Sequence, residues 1–275
     1  MSNGDETIDV QGTRVPALGF GTWLIPGPDA ADAVRDALEI GYRHIDTARA
    51  YENEREVGRG IADSGVPRSE IFLTTKVPHT DAAPDLVERD AEESLGRLGV
   101  DQIDLLLLHW PNAEVPLEQT LNALDKLKDD GRVRQIGVSN FPAGLLRQAL
   151  ELAPIFANQV EYHPFLSQER ALDVARAHDV LTTAYSPLAH GRVPGDATLQ
   201  RIGDAHGRTA GQVALRWLLD QPLVSPIPKA SSHARRAENI AVFDFELTHS
   251  ERAEIDALPK DVRTADPPWA PDWDA

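Results

Sequence analysis

The chain has 275 residues, 41% of them hydrophobic, no cysteine and a formal net charge of −17 at neutral pH. This length and apolar content suit one large domain spanning residues 1–275. The charge argues against nucleic acid or an anionic membrane surface as a partner, because their phosphates would be repelled, and without cysteine there can be no disulfide or thiolate metal site.

No apolar run is long enough to span a bilayer. The opening MSNGDETIDV is acidic and lacks the basic and apolar regions of a secretory signal, so a cytoplasmic location is expected. Five lysines stand against twenty-two arginines, and the acidic excess is scattered rather than blocked. Scattered acid with scarce lysine resembles proteins of salt-rich cytoplasm, where screening removes much of the self-repulsion.

In chain order, the opening residues are expected to pair as a hairpin that turns at Gln11-Gly12. Strand patterns then follow at 17–21, 44–47, 71–77, 103–109, 133–138, 155–161, 181–185 and 223–227. The run 103–108 is almost continuously apolar, as a strand buried on both faces must be. Helical patterns lie between them at 29–40, 84–98, 117–129, 142–150, 168–178 and 209–219, with two more near 232–239 and 248–257. Strands alternating with helices imply a closed (β/α)8 TIM barrel, its bottom plugged by the hairpin and its end carrying two extra helices. The rival doubly wound sheet lacks its fingerprint, since Gly19-Phe20-Gly21-Thr22-Trp23 has two glycines and no third.

In such a barrel the strand ends converge on one face. Asp46 ends the second strand, Lys76 the third and His109 the fourth, with Tyr51 on the loop after Asp46. Singly, Asp46 could cap a helix, Lys76 could reach solvent, His109 could sit satisfied in a core and Tyr51 could simply pack. Their joint placement points to a site. A phenol titrates near ~10, so proton transfer near neutrality needs a neighbouring ammonium, and a carboxylate would hold that ammonium charged. Such a set suits polarising and protonating a carbonyl. No metal site is expected, because no HxH or HExxH spacing occurs.

Ser139, Asn140 and Gln159 offer amides and a hydroxyl at later strand ends, and Tyr185 offers a ring to stack upon. Lys229, Ser232 and Arg235, joined by Arg236, gather around a helix start, an anion site by dipole and by charge.

The segments GFGTW, GYRHIDTARAYENE, TTKV, DLLLLHWP, GVSNF, NQVEYHP, AYSPL and IPKASSHARRAEN resemble the aldo-keto reductase superfamily, in order and over nearly the whole chain. The short connections after His109 and after the last helix resemble its compact prokaryotic, diketogluconate-reductase-like members. The resemblance implies reduction of small aldehydes and ketones with NADPH, NADH being possible; the short chain is compatible with a monomer, which is the expectation. The resemblance makes Tyr51 the general acid, its pKa lowered by Lys76 and Asp46, and makes His109 the group that orients the carbonyl. Ser139, Asn140 and Gln159 would hold the carboxamide, Tyr185 would stack on the nicotinamide, and Ser186 and Leu188 would meet the pyrophosphate. Lys229, Ser232 and Arg235 would clamp a 2′-phosphate, Glu238 and Asn239 would reach adenine, and Thr22 joins Asp46 among the cofactor contacts. Trp23 and Trp110 would line the substrate pocket, with Tyr51 and His109 at its base, and Trp269 and Trp273 could cover it. One departure is Ala230, where the family often has serine after the clamp lysine. A cofactor-holding module without chemistry, or a Schiff-base lyase using Lys76, are the alternatives. If the acidic surface is a salt adaptation, the melting temperature will rise as KCl is added at constant pH; a flat or falling titration removes that reading.

Overall fold

The computed structural model describes residues 6–274; the start of the acidic opening segment lies outside that range. Strands β1 (Thr7–Val10) and β2 (Thr13–Pro16) form the antiparallel hairpin. Gln11 and Gly12 both take positive φ, 49° and 73°, the tight primed turn whose twist matches the paired strands. Val10 and Val15 pack inward against Phe72, Leu105, Phe156 and Leu181, so the hairpin does stopper the barrel's lower end. Gln11 fastens it there. Its backbone N–H donates to Asp179 Oδ2 at 2.7 Å and its side-chain amide to Ile155 O at 3.1 Å.

Strands β3 (Gly19–Gly21), β4 (His44–Asp46), β5 (Phe72–Val77), β6 (Ile103–Leu108), β7 (Val133–Ser139), β8 (Ile155–Glu161), β9 (Leu181–Tyr185) and β10 (Val224–Pro226) run parallel and neighbour one another in chain order. Gly21 N–H donates to Pro228 O at 3.2 Å and draws the two ends of the sheet together. Alternation sorts the side chains. Ile45, Leu73, Leu106, Leu108, Ile136 and Val138 face the helices, while Leu105, Leu107, Ala157 and Leu181 fill the lower interior. The upper interior is left to polar residues.

Around the sheet lie α1 (Gly27–Glu39), α2 (Glu54–Asp63), α3 (Pro84–Leu98), α4 (Leu117–Asp129), α5 (Ala143–Leu152), α6 (Glu169–Ala177), α7 (Ala197–His206), α8 (Ala210–Leu219), α9 (His233–Ile240) and α10 (His249–Asp256). Both helices expected after the last strand are present. Helix α9 packs against α1 and α8, completing the ring, and α7 and α10 pack on each other outside it.

Helices α2 and α7 are not among the expected helical patterns, although both are amphipathic. In α2 the buried face consists largely of Val57, Gly58, Gly60 and Ile61, so small residues rather than large apolar ones make the contact. In α7 only Leu199, Ile202 and Gly203 are buried, and the Asp196 side chain caps the helix by accepting from Leu199 N–H.

Gly58 marks the closest helix approach. A Cβ there would lie 2.2 Å from Leu98 O, whereas one on the exposed helical Gly96 would meet nothing. Gly58→Ala should therefore lose roughly 3 kcal/mol of unfolding free energy through forced separation of backbones. Gly96→Ala should gain about 0.5–1 kcal/mol from helix propensity. Denaturant titration of both variants checks the pair.

Candidate active site

Strands β4 to β9 end in one polar layer. Asp46 and Lys76 point into the barrel top from β4 and β5, His109 directly follows β6, and Ser139, Gln159 and Tyr185 lie on β7, β8 and β9. Tyr51 enters from a single 3₁₀ turn, Arg49–Tyr51, that leaves it half-buried above Lys76. Register keeps the layer level, since Asp46 lies beside Thr74, Lys76 beside Leu107 and Ser139 beside Gln159.

Lys76 is the hub. Its Nζ donates to Asp46 Oδ1 at 2.6 Å and Thr47 O at 2.7 Å, and reaches Tyr51 OH at 3.4 Å. Asp46 Oδ2 accepts from Gln159 Nε2 at 2.7 Å. Burial depresses the Lys76 pKa, and the Asp46 carboxylate works against that depression. The Tyr51 pKa is raised well above 10, by burial first and by the charge on Asp46 second. This reverses the expectation that Lys76 and Asp46 lower it. The ammonium makes its two short bonds to Asp46 and Thr47 and only its long one to the phenol, so desolvation prevails. Burial also holds His109 well below the ordinary histidine range, with Lys76 adding to the effect, so its ring is neutral at neutral pH. The Tyr51 and His109 rings meet edge to face with centroids 5.7 Å apart.

A cavity of about 1500 Å³ opens above these residues and runs across the barrel mouth to α9. It is lined by Trp23, Trp110, Ser139, Asn140, Gln159, Tyr185, Ser186, Leu188, Lys229, Arg235, Glu238 and Asn239 as well as Asp46, Tyr51 and His109. Asn140, at φ 63°, links the middle of the wall: its Nδ2 donates to Ser139 Oγ at 3.0 Å and its Oδ1 accepts from Tyr185 OH at 2.8 Å. Ser186 Oγ pairs with His190 Nε2 at 3.0 Å. Ser232 lies outside the lining and caps α9 by accepting from Arg235 N–H.

Of the three cations near α9, Lys229 and Arg235 face the cavity. Arg236 does not. Its Nε donates to Asp36 Oδ2 at 2.5 Å and its Nη1 to Ala230 O at 3.1 Å, tying α9 to α1. Lys229 Nζ donates to Ser231 Oγ at 2.9 Å, so a hydroxyl does accompany the lysine despite Ala230.

The groove thus has amide and hydroxyl groups at its inner end and two cations, Lys229 and Arg235, at its far end. Thr22 itself does not line the groove: it is wholly buried between Gly21 and Trp23, and its Oγ1 has no hydrogen-bond partner. Among the described residues no cluster of three or more metal-ligating side chains occurs.

The sequence reading missed Glu161 and what it holds. This carboxylate is buried at the end of β8 and accepts from Thr264 N–H, Thr264 Oγ1 and Ala265 N–H at 2.6–3.0 Å. His163 Nδ1 accepts from Phe165 N–H at 3.2 Å, so Nε2 carries the proton it donates to Glu161 Oε1 at 3.0 Å. The available signal was an acidic residue inside an otherwise buried strand.

The aldo/keto reductase family pattern matches residues 17–260. Morphine 6-dehydrogenase of Pseudomonas putida is 40% identical over 94% of this chain and 92% of its own length. A crystal structure provisionally assigned as 2,5-diketo-D-gluconic acid reductase B is 43% identical, with a TM-score of 0.97 over 100% of this chain and 99% of that one. The Bombyx mori aldo-keto reductase in complex with NADP is 33% identical, with a TM-score of 0.88 over 95% of both chains. The protein is thus an oxidoreductase built on a TIM barrel. It belongs to the aldo/keto reductase family, whose members use NAD(P)H on carbonyl compounds.

Burial alone would raise the Glu161 pKa, but the His163, Thr264 and Ala265 bonds outweigh it and bring the group down to about 2 from 4.5. A depressed acid stabilises the fold above its unfolded pKa and loses that contribution as pH falls towards the folded value. Between about pH 6 and about pH 3 the wild type should lose roughly 2 kcal/mol more unfolding free energy than Glu161→Gln. Urea titrations at the two pH values measure the difference.

Proposed function

We propose that this protein reduces small aldehydes and ketones to alcohols with NADPH, reversibly, with Tyr51 as the general acid. The reading is carried by the placement of Lys76 Nζ between Asp46 Oδ1 and Tyr51 OH, at the inner end of a cavity whose far end holds Lys229 and Arg235. When bound, NADPH supplies the hydride. Ser139, Asn140 and Gln159 would hold its carboxamide and Tyr185 would lie under its ring. Ser186 and Leu188 would meet the pyrophosphate, with Thr22 and Asp46 alongside. Lys229 and Arg235 would clamp the 2′-phosphate, Ser232 fixing the helix start from which Arg235 projects, and Glu238 and Asn239 would flank adenine.

His109, neutral and half-buried, has one ring N–H to give and would orient the carbonyl oxygen with it. Tyr51 donates its phenolic proton to that oxygen. Burial keeps the phenol protonated through the neutral range but also makes it a weaker acid, so the transfer depends on help for the phenolate it leaves. The Lys76 ammonium then lies within reach of the phenolate left behind, and Asp46 keeps that ammonium charged. Trp23 and Trp110 form the pocket walls beside the reacting carbon.

The same contacts weigh against the alternatives. Lys76 Nζ is paired with the Asp46 carboxylate at 2.6 Å, which favours its ammonium form, and an ammonium has no lone pair for Schiff-base chemistry. A module that only held cofactor would have no use for a buried ion pair that is costly to desolvate. Among the described residues no helix is long and apolar enough to cross a membrane. A cytoplasmic monomer acting on small molecules, with an acidic surface suited to high salt, completes the reading.

Tyr51→Phe should lower kcat by about 10²–10⁴-fold while leaving the NADPH Kd, measured by fluorescence titration, within about twofold of wild type. A variant that kept full turnover would remove Tyr51 from the role.

A further inference from the structure

Three large hydrophobic side chains stand exposed among the described residues: Trp23 at 42%, Leu24 at 66% and Trp269 at 51%. All three, and Trp110 with them, line the cavity above the polar layer. Exposed apolar surface gathered at a cavity mouth marks a binding surface rather than chance exposure. The charged lining is divided unevenly. Lys229, Arg235 and Arg208 lie towards the α7–α9 side, while the only acid lining the tail side is Asp266.

Trp269 belongs to the tail after α10, which contains no helix or strand to hold it in place. Two tethers fix its start: Val262 N–H donates to Phe165 O at 3.0 Å, and Lys260 Nζ donates to Pro164 O at 2.6 Å. The next anchor is Glu161, which takes the backbone N–H groups of Thr264 and Ala265 and the Thr264 hydroxyl. Beyond that point the tail folds on itself and over the rim. Trp273 Nε1 donates to Asp266 Oδ1 at 2.9 Å and its ring meets Trp110 edge to face, while Trp269 stacks on His79 with centroids 5.0 Å apart.

We propose that Glu161 is a positioning residue that clamps the tail to the barrel mouth, and so assembles an apolar subsite from Trp23, Leu24, Trp110 and Trp269 for the flat, uncharged part of a carbonyl substrate. The substrate class rests on the reductase reading above; the clamp itself does not. Aromatic aldehydes and ketones without a carboxylate fit this subsite. Sugar acids do not, since Asp266 lines the tail side and would repel them, while Arg263 is turned onto the Trp273 ring, 3.7 Å from its centroid, and does not line the cavity.

The test separates clamp from chemistry. Binding of 4-nitrobenzyl alcohol is followed by quenching of tryptophan fluorescence in wild type, in Glu161→Gln and in a chain ended after Ala265. Saturable binding to wild type, weakened about tenfold or more in both variants, is expected. Equal affinity in wild type and the truncated chain overturns the subsite, and equal affinity in a folded Glu161→Gln overturns the clamp. The truncated chain decides the subsite even where Glu161→Gln fails to fold, and limited trypsin cleavage after Arg263 then reads the clamp. Wild type must resist that cut, whereas Thr264→Ala must be cut faster; equal rates overturn the clamp. In steady-state assays with NADPH, Glu161→Gln should raise KM for 4-nitrobenzaldehyde about tenfold with kcat retained, yet keep kcat/KM for propanal within about threefold. Equal losses for both aldehydes would place Glu161 in general structural support and overturn the proposal. If wild type reduces neither aldehyde with NADPH or NADH while the binding results hold, the reductase reading falls and the clamp stands. A preference for 4-carboxybenzaldehyde over 4-nitrobenzaldehyde would overturn the charge selection.

Discussion

An ammonium group without water must find its counter-charge within the fold, and Lys76 imposes that demand at the centre of this barrel. Taking such a pair out of water costs several kcal/mol per ion unless every hydrogen-bonding position is met. Here Asp46 Oδ1 and Thr47 O meet Lys76, and Gln159 meets the other oxygen of Asp46. The bonds join β5 to β4, and β4 across the barrel to β8. Tyr51 and His109 then come into range of each other without any direct hydrogen bond between them. A loose barrel mouth could not satisfy these bonds together, so the packed lower layers and the ion pair support one another.

The barrel was legible because its signals repeat. Each strand pattern is short and largely apolar, and every one of the eight finds a strand in the structure. The layer of Asp46, Lys76, His109, Ser139, Gln159 and Tyr185 was legible for the same reason, since a residue's position at a strand end fixes its height in the barrel. Helices α2 and α7 escaped because their buried faces are short, Val57 to Ile61 and Leu199 to Gly203, and partly made of glycine. The direction of the Tyr51 shift escaped because sequence cannot say which of three acceptors an ammonium will sit closest to. The tail clamp escaped for a different reason: Glu161 and Thr264 are 103 positions apart, and neither is unusual until the fold brings them together.

Charge is distributed with similar economy. Several buried acids have a cation or a set of N–H donors of their own: Asp46 has Lys76, Glu54 has Arg97, Asp104 has Arg68, and Glu161 has the tail. Arg236, which looked like part of an anion site, completes the same pattern with Asp36. The negative excess is therefore left mainly to the surface, where ions can screen it. Lys229 and Arg235 stand out against this background as cations turned towards the groove.

The hairpin at the base has a consequence for traffic. By filling the lower end with Val10 and Val15, it leaves the upper opening as the route to Lys76. Whatever lies deepest must enter first and leave last, and a ligand stretched from α9 to Tyr185 would form the floor on which a smaller one lands. A barrel with a sealed base thereby leaves one face through which every ligand must both come and go.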